Sequence, residues 1–205
     1  MHFITIAFIT LLSLASAAPG SLEARFPNSR GTRVLLPLVN SLYHGFNGSI
    51  DYGVRRGEVS REYWNGRDNS TLVTFDLNGR TLPERCNLDF YLEPNIQSSD
   101  PSAGSFVSGT GLIDLFDSLQ PAPVEGSKGW GGPGNQRNSS LGRLEVQNQD
   151  AKIVPTIPDR LRNFPCPKIG DSNVKNGLVG YELVPVGDAV RVQWDTAVSG
   201  LYFNW

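Results

Sequence analysis

The chain has 205 residues, 39% of them hydrophobic and 19% charged, with a formal net charge of −2. That balance suits a globular domain with a real core and excludes a disordered or collagen-like chain. No basic block is present, so the clustered positive footprint of a nucleic-acid binder is missing, while 22 glycines and 14 prolines point to many turns.

In chain order, "MHFITIAFITLLSLASAAPG" comes first, with an apolar run from Phe3 to Leu14 and then Ala15, Ser16 and Ala17. An apolar core followed by an A-x-A-like site predicts a secretory signal peptide over 1–17. The run is shorter than the roughly 20 residues that cross a bilayer, so no membrane span is expected. Residues 18–44 read as a flexible lead-in: "APGSLEARFPNSRGTR" has no sustained period, and "VLLPLVNSLYHGF" is an apolar patch able to dock onto the domain. A β domain is expected over 45–205. Arg55-Arg56 reads as a solvated pair rather than a dibasic processing site.

From Asn47 on, period-2 segments alternate with turn residues. "TLVTFDL" puts Val73, Phe75 and Leu77 on one face, and "CNLDFYLE" does the same with Leu88, Phe90 and Leu92. "GLIDLFDSLQP" has helical spacing at Leu112, Leu115, Phe116 and Leu119 but is short and glycine-led, and is read as a strand ending near Phe116. "SLGRLEVQ" and "AKIVPTI" come next, the second broken by Pro155, which marks an edge or a bulge. At the end, "LVGYELVPV" and "AVRVQWD" flank Gly187-Asp188, a hairpin signal, and "LYFNW" closes an expected meander with Leu201, Phe203 and Trp205 on one face. "SGLYFNW" is too short for the removable tail of a lipid anchor. Many short strands with regular turns predict an all-β, two-sheet antiparallel β-sandwich of jelly-roll-like form.

Three sequons, at Asn47, Asn69 and Asn138, predict glycans on exposed loops or strand ends if the chain is exported. The two cysteines, Cys86 and Cys166, most simply form one disulfide in an oxidising compartment. The other reading is a reactive thiolate paired with His44, and such pairs are defined by geometry.

Candidate chemistry is sparse. "GWGGPG" (129–134) matches the dinucleotide fingerprint in letters, but the strand before it and the helix after it are missing. The stretch Gly126–Gly134 therefore reads as a surface loop with Trp130 at its tip. Trp130 and Trp64, in "REYWNGRDNS", are the candidate ligand contacts, since exposed aromatics anchor partners. Asp114 with Asp117, or Asp89 with Glu93, are the carboxylate pairs a glycosidase would need. Asp68 and Asp171 are loop carboxylates of the kind that bind calcium, without EF-hand spacing. There is no nucleophile elbow and too few histidines and cysteines for zinc. No catalytic residue, metal or cofactor is expected.

Phe75-Asp76-Leu77, Cys86 to Leu92, Gly109-Thr110-Gly111, Phe164-Pro165-Cys166-Pro167, Tyr181-Glu182-Leu183 and Gly200 to Phe203, in that order, carry a resemblance. The chain from about Asn47 to Trp205 resembles the fungal ubiquitin-3-binding protein But-two C-terminal domain. The resemblance implies a fungal source, a secreted β-rich domain and a disulfide, and it carries no catalytic residues.

The resulting expectation is a secreted protein without catalysis, at the cell surface or in the cell wall, binding polysaccharide. The alternatives are a secreted protein-interaction module with an extracellular protein as partner, and a carboxylate-based glycoside hydrolase.

Overall fold

The structure is a computed structural model that describes residues 33–93, 104–126, 129–130, 134–147, 149–155 and 159–205. The signal-peptide reading falls on residues outside this set. The strands are β1 (Val34–Leu35), β2 (Val39–His44), β3 (Ser49–Asp51), β4 (Arg56–Glu62), β5 (Arg67–Asp76), β6 (Arg85–Leu92), β7 (Phe106–Gly109) and β8 (Leu112–Ser118). They continue as β9 (Gly129–Trp130), β10 (Arg137–Val146), β11 (Gln149–Ile153), β12 (Phe164–Pro165), β13 (Val174–Lys175), β14 (Leu178–Pro185), β15 (Ala189–Asp195) and β16 (Gly200–Asn204).

The protein is all-β, with two antiparallel sheets. One runs β1–β16–β6–β11; the other runs β11–β10–β8–β14–β5–β2–β3–β9. β11 belongs to both: Gln149 and Asp150 pair with β6, and Ala151 to Ile153 pair with β10. From the start of β5 the pairing continues through β4 to β15 and then to β7.

The alternation read in the sequence explains the core. Val73 and Phe75 of β5, Tyr181 and Leu183 of β14, Leu88 and Phe90 of β6, and Leu201 and Phe203 of β16 all bury into one cluster. Phe203 lies 4.7 Å from Phe75 and 5.7 Å from Tyr181 between ring centres, both edge-on, which joins the sheets. Trp194 of β15 meets Phe90 edge-on at 5.1 Å. Each buried ring contributes roughly 1.5–3 kcal/mol, and edge-on pairing adds about 0.5–1.5 kcal/mol. Burial also pushes the Tyr181 phenol well above its ordinary pKa. Gly57 is required here, because a Cβ on it would stand 2.1 Å from the Trp194 ring.

Cys86 and Cys166 form a disulfide spanning 80 residues, with both cysteines buried. Neither is a free thiol, so the thiolate–His44 reading is set aside.

The sandwich begins earlier than residue 45. Val34 and Leu35 pair with Asn204 and Phe203 of β16, and β2 pairs along β5. The reason is the apolar run itself: Leu35 is fully in the core, where leaving it in water would forfeit its burial. Arg33 N donates to Trp205 O at 3.0 Å and Trp205 N donates to Arg33 O at 3.1 Å. The final tryptophan is thus held in a strand pairing and packs against the core.

The closing meander is also corrected. β14 has β5 on one side and β8 on the other, so β15 cannot pair with it; β15 lies between β4 and β7. Gly187, at φ 89°, makes a turn that carries the chain to other neighbours rather than a hairpin. The reading of "GLIDLFDSLQP" as a strand holds, with β8 running on to Ser118.

Segment 119–126 straps the outer face of the second sheet. Thr74 Oγ1 donates to Ala122 O at 2.8 Å, and Ile50, Leu72 and Ala122 form a small second core with Tyr43 and Tyr52. Gly180 lets the strap approach, since a Cβ there would sit 2.7 Å from Pro121 Cα.

Candidate ligand-binding face beside the β4–β5 turn

Tyr63 to Asn65 form one 3-10 turn between β4 and β5, closed by Gly66 in the left-handed region at φ 69°. Arg67 N donates to Asn65 Oδ1 at 3.0 Å and fixes the turn. Trp64 sits on it and is 72% exposed. The β2–β3 turn is next to it: Gly45 N donates to Asp68 O at 2.6 Å, and His44 pairs with Asn69. That turn carries Phe46, 74% exposed. The sheet register therefore brings two large exposed rings to the same end of the sandwich. Scattered exposed apolar residues need no explanation; here two exposed aromatics stand on turns that the Gly45–Asp68 hydrogen bond holds side by side.

A polar strip leads away from this end along β4, β5 and β15. Cross-strand partners share a face, and the register pairs Ser60 with Asn69 and with Arg191, and Glu58 with Gln193. The mostly buried Glu58 carboxylate is the hub. Its Oε1 accepts from Ser60 Oγ at 2.8 Å and Asn69 Nδ2 at 3.2 Å, and its Oε2 accepts from Gln193 Nε2. Arg67 Nη1 and Arg191 Nε lie 3.9 and 3.8 Å from Oε1. Asn69 also donates to Ser60 Oγ at 3.0 Å, while its Oδ1 accepts from His44 Nδ1 at 2.8 Å. In "RGEVSRE" the polar Glu58, Ser60 and Glu62 alternate with Gly57, Val59 and Arg61, but Glu58, Phe46, Arg191 and Gln193 do not stand out in the sequence.

A second polar centre lies under the strap. Glu182 of β14 is 0% exposed at its side chain and accepts from Arg137 Nε and Nη2, both at 2.8 Å, and from Ser70 Oγ at 2.6 Å. The hydrogen bond to Glu182 holds the Arg137 guanidinium above its ordinary pKa, and the guanidinium also covers the Phe116 ring at 5.6 Å. Every oxygen of this carboxylate is matched, so the centre is a structural one.

The remaining candidates from the sequence have other surroundings. Trp130 is a residue of β9, its backbone opposite Ser49 of β3, and its side chain is outside the described residues. Gly129 and Trp130 are thus strand-paired, and β10 rather than a helix comes after the glycine-rich stretch. Asp114 takes both bonds of Arg143, at 2.6 and 2.9 Å, and that hydrogen bonding raises the Arg143 pKa. Asp117 instead accepts from Asn138 Nδ2 at 3.1 Å and Ser139 N at 2.5 Å. The two aspartates are committed to different partners. Asp89 is held by Arg162 and Asn204, and Glu93 N donates to Ser199 Oγ at 2.8 Å. Asp68 pairs with Arg61 at 3.2 Å, and Asp171 accepts from Lys168 N at 2.8 Å as a turn cap. Among the described residues, no group of three or more His, Cys, Asp and Glu is placed to hold a metal ion. The Arg55 carbonyl accepts from Thr196 N at 3.1 Å, and Arg56 is paired in β4 with Asp195, which ties this dibasic pair into the sheet.

The sequons differ in environment. Asn47 Oδ1 accepts from Ser49 N at 3.0 Å and Ser49 Oγ at 2.8 Å, and its Nδ2 makes no hydrogen bond among the described residues. Asn138 is exposed. Asn69 spends both Nδ2 protons inside the polar strip, and a glycan on that nitrogen would break one bond and fill the strip. Glycopeptide mass spectrometry of protein from a secreting host is expected to find sugar at Asn47 and Asn138 and none at Asn69; occupied Asn69 would show that the strip is open during export.

No protein-family model matches the chain, and no curated protein does either.

Proposed function

We propose that the protein is a secreted, non-catalytic β-sandwich that binds polysaccharide at the cell surface or in the cell wall. The observation that carries the reading is the pair of exposed rings, Trp64 and Phe46, on adjoining turns beside a strip of hydrogen-bonding groups. Flat apolar rings beside fixed donors and acceptors suit a sugar, which has apolar ring faces and polar edges; preformed sites of this mixed character are the usual form of ligand recognition. The buried disulfide supports an oxidising compartment. The engagement of Asp114 by Arg143 and of Asp117 by a turn supports a binding role over hydrolysis.

The test is retention on insoluble glucan, chitin and cellulose. The wild-type protein is expected to be held by at least one of them. Trp64→Ala is expected to bind about tenfold or more weakly, the size of loss that defines a contact hot spot, with its melting temperature unchanged because the ring is in solvent. Retention on none of the polymers removes the polysaccharide reading. Capture of a protein partner lost in the same variant would then favour the interaction-module reading, which the same aromatic patch supports.

A further inference from the structure

The polar strip contains a mismatch that its own residues do not resolve. Gln193 is 3% exposed, yet among the described residues its Oε1 has no hydrogen-bond partner, and the buried Nε of Arg191 has no hydrogen bond beyond its 3.8 Å ion pair with Glu58 Oε1. Leaving a buried donor or acceptor unmade is destabilising, and native proteins rarely keep such groups without reason. The two residues are two positions apart on β15 and share a face, which the register with Glu58 and Ser60 confirms. One orphan is a donor and the other is an acceptor. A hydroxyl is the group that accepts from the first while donating to the second.

The surrounding charges narrow the class. Glu58 and Glu62 face Arg67 and Arg191: Arg67 Nε is 3.9 Å from Glu62 Oε2, and its Nη1 is 3.9 Å from Glu58 Oε1. Within this set two carboxylates balance two guanidiniums in formal charge. Arg191 is fixed over the Phe106 ring at 5.6 Å, so its Nε is already oriented. Arg67 is different. It is half-exposed, and its ion pairs to Glu58 and Glu62 are both long and screened by solvent, so its head group can swing off Glu58.

We infer that this strip is a subsite for one uncharged, hydroxyl-bearing sugar ring, with a hydroxyl accepting from Arg191 Nε and donating to Gln193 Oε1. The assignment rests on the polysaccharide reading for its ligand class and deepens it. Trp64 stands on the turn beyond Glu62 at the end of this face, where it meets a neighbouring unit of the chain of sugars, and the Glu58 strip selects a neutral sugar over a uronate or an amino sugar.

The experiment is a side-chain NMR titration of the full exported chain with glucose, glucuronate and glucosamine. Glucose is expected to move the Gln193 Nε2 amide pair and the Arg191 Nε–H signal saturably, and the two charged sugars to do so at least tenfold less tightly. Gln193→Leu should weaken the glucose response about tenfold. Arg191→Lys keeps the charge, loses the Nε–H and should weaken it similarly, which guards against a leucine variant that fails to fold. No movement of these signals with any of the three would mean that the orphaned atoms meet a structural water only, and would overturn the subsite. A tighter response to either charged sugar would overturn it as well. A glucose response without retention on any polymer supports the subsite and removes the polymer reading. Retention that depends on Trp64 without a glucose response does the reverse.

Discussion

Cys86→Ala combined with Cys166→Ala is expected to lower the unfolding free energy by roughly 4 kcal/mol, the chain-entropy value for a closed loop of this length. The bridge spans 80 residues and joins β6 to the segment just after β12. It acts mainly on the unfolded chain, which it keeps from expanding across that whole loop. Loss of the bridge has two signatures. The melting temperature should fall by about 10 °C, given roughly 2–4 °C per kcal/mol for a chain of this size. The denaturant slope should rise, because an uncrosslinked unfolded state exposes more surface. An unchanged midpoint in chemical denaturation would show that the sheets alone hold the fold, and the central role of the bridge would be lost.

Arg137→Met should cost about 3 kcal/mol, and the cost should be asymmetric between the partners. Glu182 is fully buried, while the Arg137 side chain is 42% exposed. Removing the arginine strands a carboxylate inside the protein, the expensive half of a broken buried pair. Removing the carboxylate with Glu182→Gln leaves an arginine that can turn outward, so about 1 kcal/mol is expected, the worth of the lost hydrogen bonds. The double variant Arg137→Met with Glu182→Leu should recover most of the stability, since an apolar pair of similar volume can replace an ion pair. Equal losses for the two single variants, or no recovery in the double variant, would show that a stranded Glu182 carboxylate is not the source of the cost.

Local forces leave their mark in the amino-acid order, and forces between distant segments do not. Period-2 burial is local: the faces read at Val73, Phe75 and Leu77, and at Leu88, Phe90 and Leu92, are the faces that meet in the core, because a strand has no other way to hide alternate side chains. A single pair of cysteines leaves a single possible bridge within the chain, and the structure has it. Strand partners are not local. Gly187-Asp188 turns the chain in either case, and whether β15 lies beside β14 depends on β5 and β8 having filled both of its edges.

The candidate face shows the same division. Trp64 was readable as an aromatic among turn residues, and its exposure reflects a turn that offers the ring nothing to pack on. Phe46 became its neighbour only through the pairing of His44 with Asn69. Glu58, Arg191 and Gln193 come from strands far apart in the chain, and their meeting depends on register, which a slip of one residue would reverse. What the amino-acid order determined by itself is the all-β class, the core faces and the covalent bridge, since each depends on neighbours in sequence or on composition. What only the tertiary structure decided is which strand edges join and which polar groups converge, because those energies exist between segments and not within them.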